Sequence, residues 1–217
     1  MSSLPARLSD LVERHPELVP MADQLDAAFG LLVRTFAGGG TVYVGGNGGS
    51  AADAEHIVGE LMKGMERRRP VPADIRSALA AAAPSDLAED AAYLADRLEL
   101  ALRAVSLTSQ TGLLTAVAND TAADMAIAQQ VNGYGRPGDT FWALSTSGRS
   151  RNIVLAAIAA RAAGVRVLAL TGDPGDPLGD LADVWVKVPA REVARVQELH
   201  LAVYHGLCAA LEEEFFG

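Results

Sequence analysis

A chain of 217 residues, half of them hydrophobic, is long enough for one domain with a sizeable core and too short for two. Its 18 basic and 27 acidic residues leave a formal charge of −9, which repels a nucleic-acid backbone or an anionic membrane, so any phosphate it binds must be held locally. The single cysteine, Cys208, has no partner for an intrachain disulfide. The first residues carry charges and prolines where a secretion signal needs an apolar run, and no stretch nears the roughly 20 apolar residues of a membrane span, so a soluble cytoplasmic protein is expected.

Taken in chain order, Leu18, Met21, Leu25, Phe29, Leu32 and Phe36 recur three and four apart, which predicts a helix over about 17–36 with one apolar stripe, ended by the glycines at 38–40. The β-branched and apolar run at 41–46 predicts a buried strand, and further strands are predicted at 103–109, 140–147, 166–172 and 183–189. Helical patterns lie between and after them at 50–66, 121–132, 151–163 and 192–214. Leu87, Ala91, Leu94, Leu98 and Ala101 form another stripe, predicting an extra helix over 86–101, while 77–84 reads as helix or lid. Strands alternating with helices predict one α/β domain over 1–217: a three-layer αβα sandwich on a five-stranded parallel sheet, flavodoxin-like, with an N-terminal helical segment at about 4–38 and an inserted helical stretch at about 75–101.

Two loops carry chemistry. The first, GGNGGSAADAEHIVGE at 45–60, follows the first strand, and its glycines let the backbone approach a ligand or take positive φ. It formally satisfies a dinucleotide fingerprint, but the acid at the required distance, Glu66, lies in a basic loop and not at a strand end. Ser50 with Asp53 three residues on reads as a capping-box start for the following helix. The second loop, STSGRS at 145–150, offers the hydroxyls of Ser145, Thr146, Ser147 and Ser150 beside a helix N-terminus, a neutral cradle for a phosphate.

Histidines supply the remaining candidates. His56 and Glu60, four apart, share one helix face and suit two ligands on one metal; an ordinary i,i+4 pair is the alternative. The last helix carries Gln197, His200 and His205. Gln197 and His205 differ by about 12 Å of helix rise, which points to a ligand from another subunit or a bent helix.

Together, GGNGGSAADAEH, the His56/Glu60 pair, AND at 118–120, STSGRS and QELHLAVYH resemble the sugar isomerase (SIS) domain family, and within it the phosphoheptose isomerases, in order over nearly the whole chain. The resemblance implies an aldose-ketose isomerase converting sedoheptulose 7-phosphate to D-glycero-D-manno-heptose 7-phosphate. It also implies one zinc ion per subunit and a homotetramer with sites at subunit interfaces. By motif, Asn47, Gly48, Gly49, Ser50, Asn119 and Asp120 line the substrate, and Ser145, Thr146, Ser147 and Ser150 receive its phosphate. His56, Glu60, Gln197 and His205 fall on the zinc positions, with Glu60 and His205 as the acid/base pair and Gln197 also touching substrate. Gly64 stands where an active-site arginine often lies, with Lys63, Arg67, Arg68 and Arg69 as substitutes. The family also holds noncatalytic phosphosugar sensors and a replication-initiator-binding paralogue; the presence of His205 with Glu60 favours catalysis.

Overall fold

The structure, a computed structural model, describes residues 4–217. Five strands, β1 (Val42–Gly45), β2 (Ala104–Ser106), β3 (Thr140–Ser145), β4 (Arg166–Thr171) and β5 (Val184–Lys187), form one parallel sheet in the order β2-β1-β3-β4-β5. Each predicted strand is present. Registers such as Val42 with Thr140 and Thr140 with Arg166 align the strand ends, so the loops after β1 and β3 emerge side by side.

The pleat divides the core. Val42, Val44, Trp142, Leu144, Leu168 and Leu170 face one side, where they meet α1 (Ala6–Arg14), α2 (Ala22–Ala37), α3 (Gly49–Met62) and α9 (Val193–Phe216). Tyr43, Phe141, Ala143, Val167 and Ala169 face the other, under α7 (Ala126–Tyr134) and α8 (Arg151–Ala162). Alternation within strands that are buried on both faces is what a parallel sheet covered by two helical layers requires.

Two sequence expectations change, the start of the first long helix and the helices after β2. The helix predicted from 17 begins as a 3-10 turn, Pro16–Met21, and becomes α-helical only at Ala22, because Pro20 lacks the N–H that an α-helical bond needs. Its stripe packs inside the chain: Leu18, Leu25 and Leu32 are fully buried in the core shared with α9 and β5, with Met21, Phe29 and Phe36 partly buried beside them. A helix not predicted, α6 (Thr111–Asp120), follows β2, and the helix predicted at 121–132 is shifted to α7. The inserted stretch is a pair of helices, α4 (Ala73–Ala82) and α5 (Ala88–Arg97), packed on each other, its base closed by the Pro70–Glu99 bridge.

One buried ion pair ties the end of α3 to α9. Glu212 accepts bonds from the backbone N–H groups of Met65 and Glu66, both at 2.8 Å, and pairs with Arg69 at 2.9 Å. Arg69 in turn donates to the carbonyls of Leu61 and Glu60, capping the C-terminus of α3. Burial alone would raise the Glu212 carboxyl, but these N–H donors and the guanidinium hold it below the usual carboxylate range.

Candidate functional site

In this strand order the winding reverses between β1 and β3, since β2 is added on one side of β1 and β3 on the other, and a crevice outside the carboxyl ends of the strands opens at such a switch point. The two loops singled out from the sequence meet there. The side-chain amides of Asn47 and Asn152 exchange two 2.8 Å hydrogen bonds, tying the glycine loop to the first turn of α8. Asn152 was not anticipated, because its pairing with Asn47 depends on the fold alone.

In the glycine loop, Gly48 sits at φ +54° and starts α3. The helix therefore begins at Gly49, two residues earlier than a Ser50 cap would give. Ser50 lies buried in the first turn, and no side chain caps the helix, so the capping-box reading of Ser50 and Asp53 is corrected. A Cβ on Gly49 would overlap the Gln197 amide, so this glycine is what lets α9 come close. The ribose-acid candidate Glu66 instead pairs with Arg7.

In the serine loop, Gly148 adopts φ +68° and Ser150 precedes α8 without a side-chain cap bond. The Ser145 hydroxyl donates to Ser150 Oγ at 3.1 Å, and Ser147 Oγ accepts from the Arg149 N–H. Thr146 is half-buried beside them. Nearby cations are engaged elsewhere: Arg151 with Asp124 at 2.6 Å, and Arg149 toward Asp176. Hydroxyls and free helix N–H groups thus make up the cradle, which can hold an anion without a basic side chain. Asn119 and Asp120 end α6, and among the described residues their side chains bond only to each other.

A cluster lies lower in the groove between α3 and α9. His56 Nε2 is 3.3 Å from Glu60 Oε1 and 3.5 Å from His205 Nε2, so α3 and α9 of one chain bring these three side chains together. α9 runs unbroken, and Gln197 sits two turns up against Gly49. A bend in α9 therefore does not bring Gln197 to His205, which leaves a ligand from another subunit as the reading of their spacing. The contacts are pairwise through His56, and among the described residues no three His, Cys, Asp or Glu side chains form a group that could hold a metal ion. Burial, with His56 beside it, pulls the His205 imidazole below its usual value and keeps it neutral.

Two further residues complete the cluster. The Tyr204 hydroxyl lies 3.2 Å from Asp53 Oδ1 and 3.1 Å from His56 Nδ1. Burial, then the Asp53 charge, raises the phenol so that it stays protonated, and burial raises the Asp53 carboxyl. The signal available in sequence was weak: Asp53 is one turn before His56, and Tyr204 reads as one more core residue.

The other candidates fall outside. His200 is fully buried, neither ring nitrogen has a hydrogen-bond partner, and burial pushes it down to about 4 with only the Thr171 backbone opposing. Arg69 is buried in the Glu212 pair and Arg68 turns to Asp96 and Glu99, so neither replaces the arginine absent at 64. Gly64 donates its N–H to Glu99 at 2.6 Å in a turn where a Cβ would overlap the Arg67 carbonyl. Lys63 lies beside Glu60, Nζ to Oε2 3.7 Å.

The chain is similar to known proteins over most of its length. The SIS domain pattern matches residues 8–83 and 77–172, two stretches that meet inside α4 of the inserted pair. The phosphoheptose isomerase of Thiobacillus denitrificans is 38% identical over 200 residues, covering 91% of this chain and 86% of that protein. That of Akkermansia muciniphila is 34% identical over 207 residues, covering 95% and 94%. The solved phosphoheptose isomerase of Neisseria gonorrhoeae superposes with a TM-score of 0.73 at 28% identity over 96% of both chains. A glycine loop and a hydroxyl cradle at the switch point, with a histidine–carboxylate cluster on helices α3 and α9, thus come with a whole-chain likeness, and the chain belongs to the SIS domain family, among its phosphoheptose isomerases, as a phosphosugar isomerase.

Proposed function

We propose that the enzyme interconverts sedoheptulose 7-phosphate and D-glycero-D-manno-heptose 7-phosphate through a cis-enediol. The observation that carries this reading is the convergence of Glu60, His56 and His205 within 3.5 Å steps on α3 and α9, the helix α3 starting from the glycine loop that Asn47 ties to the first turn of α8 behind the hydroxyl cradle. Aldose-ketose isomerisation moves one proton from C1 to C2 and one from O1 to O2, so it needs a carbon base and an oxygen proton carrier. Glu60 takes the C1 proton and returns it to C2. His205, kept neutral, has one nitrogen to accept the O1 proton and one N–H to protonate O2. The phosphate rests on Ser145, Thr146, Ser147, Ser150 and the first turn of α8, anchoring the sugar so that its other end lies along α3. Asn47, Gly48 and Gly49 wall the chain of hydroxyls, with Gln197 opposite, and Asn119 and Asp120 serve the same substrate.

The donor chemistry of His56, Glu60, Gln197 and His205, two imidazoles, a carboxylate and an amide, fits zinc. We propose that these four hold it, and a bound zinc supplies polarisation of the carbonyl and stabilisation of enediolate charge. We also propose a cytoplasmic homotetramer with its sites at subunit interfaces. The His56 side chain is still 45% exposed in one chain, which leaves a flank of the groove for a neighbour to close.

The test is direct turnover of sedoheptulose 7-phosphate, followed as aldose product, with added zinc and with a chelator. Glu60→Gln and His205→Ala should each lower kcat by about 100- to 10,000-fold, the range supplied by a positioned acid or base. Absence of turnover in the unmodified protein, or full activity in both variants, would sink the reading.

A further inference from the structure

We propose that Tyr204 and Asp53 are positioning residues that fix the tautomer of His56, turning its unprotonated Nε2 toward Glu60 and His205. The idea rests on the role given to His56 above, and it assigns work to two residues that the mechanism leaves idle.

The argument is one of hydrogen counting. Tyr204 has one hydroxyl hydrogen and two neighbours, Asp53 Oδ1 at 3.2 Å and His56 Nδ1 at 3.1 Å. A carboxylate can only accept, so the phenol hydrogen goes to Asp53. The phenol oxygen then has lone pairs alone to offer His56, and the bond forms only if Nδ1 brings the hydrogen. A neutral imidazole protonated on Nδ1 is bare on Nε2, and Nε2 is the atom 3.3 Å from Glu60 and 3.5 Å from His205.

The opposite direction is disfavoured. If the phenol donated to His56, its oxygen would face the Asp53 carboxylate lone pair to lone pair, and a charge-assisted bond about twice as strong as a neutral one would be lost. That tautomer would gain an Nε2–H bond to Glu60 at 3.3 Å, but Glu60 keeps Lys63 beside its other oxygen at 3.7 Å, whereas among the described residues the half-buried Asp53 has the Tyr204 hydroxyl as its only hydrogen-bond donor. Tyr204 is fully buried, so water cannot substitute at its hydroxyl without displacing the packing. Its ring also meets both imidazoles edge-on, with centroids 5.6 Å from His56 and 4.8 Å from His205, so it orients the rings as well as the proton. Hydrogen bonds from behind a reactive or ligating imidazole are a general means of choosing which nitrogen is free.

The experiment is a long-range proton–nitrogen correlation spectrum of the full-length, nitrogen-15-labelled, metal-free protein above the imidazole titration range. His56 is assigned by loss of its signals in His56→Gln. The expected pattern has a pyrrole-type Nδ1 and a pyridine-type Nε2. Asp53→Ala removes the acceptor, so the phenol turns to Nδ1 and His56 should switch to the Nε2-protonated form. Tyr204→Phe keeps the ring and removes the hydroxyl, and should give a mixture. An Nε2-protonated His56 in the unmodified protein, or a pattern unmoved in both variants, overturns the proposal. Because the readout requires no turnover, a protein with the expected tautomer but no isomerase activity would keep the relay and discard the reaction.

Discussion

Gly49 shows how a residue with no functional group can be indispensable to a site. The Gln197 amide lies where a Gly49 side chain would begin, so the α3–α9 approach depends on that missing methyl. Gly49→Ala should push the amide aside and lower kcat/KM by tenfold or more, since small displacements of positioning groups are costly. The far end of a glutamine is flexible, so the thermal midpoint should fall little; unchanged kinetics would show that Gln197 does not serve the substrate. His200 poses the reverse case, a functional group with no site. Its pKa, about 4 when folded against 6.5 as a free side chain, means that the unfolded chain binds more protons between those values. Stability is therefore full above about pH 6.5 and declines as pH falls toward 4, by roughly 3 kcal/mol from this group. Urea unfolding from pH 7 to 4 should show a shallower slope in His200→Leu, and an identical slope would refute the burial argument. Gly48, Ser145 and His205 were legible because loops and short motifs keep their chemistry in a few adjacent letters. Tyr204 was not, because it shares a helix with the core residues Val196, Leu199, Val203 and Leu207, and only the fold reveals that its hydroxyl points at Asp53.

Between elements, the Arg69–Glu212 pair decides where the end of α3, and with it Glu60, lies against α9. Removing one partner of a buried pair costs more than the pair contributes, because the other charge stays behind. Glu212→Ala would strand the Arg69 guanidinium, whose side chain is 0% exposed, along with the N–H groups of Met65 and Glu66. A loss of about 3–5 kcal/mol in urea unfolding is expected. A loss under 1 kcal/mol would mean that the turn rearranges. The same elements show what periodicity conveys. Strands buried on both faces and helices with one buried stripe were readable because burial writes the pattern. α6 was not, since it buries no residue and therefore carries no stripe facing the core. Pro20 displaced a helix start that the stripe alone placed too early.

At the scale of the molecule, what remains is the apolar surface that one chain leaves uncovered. Tyr93 and Leu94 on α5, Leu98 just after it, Ile158 on α8 and Leu201 on α9 are all more than 40% exposed, on helices from both layers. Single exposed apolar side chains are ordinary, but several on packed helices are the kind of surface that subunits bury. Leu201 lies one turn before His205, so a neighbour seated there would also close the cluster from the solvent side. A tetramer would then dry the groove and strengthen the electrostatics of Glu60 and His205. Light scattering at micromolar concentration should give four times the chain mass. Leu201→Glu, which puts a charge at the mouth of the groove, should lower both the mass and the turnover, because assembly and activity would depend on the same contact. A monomer with full activity, or a tetramer unaffected by the charge, would place the interface elsewhere.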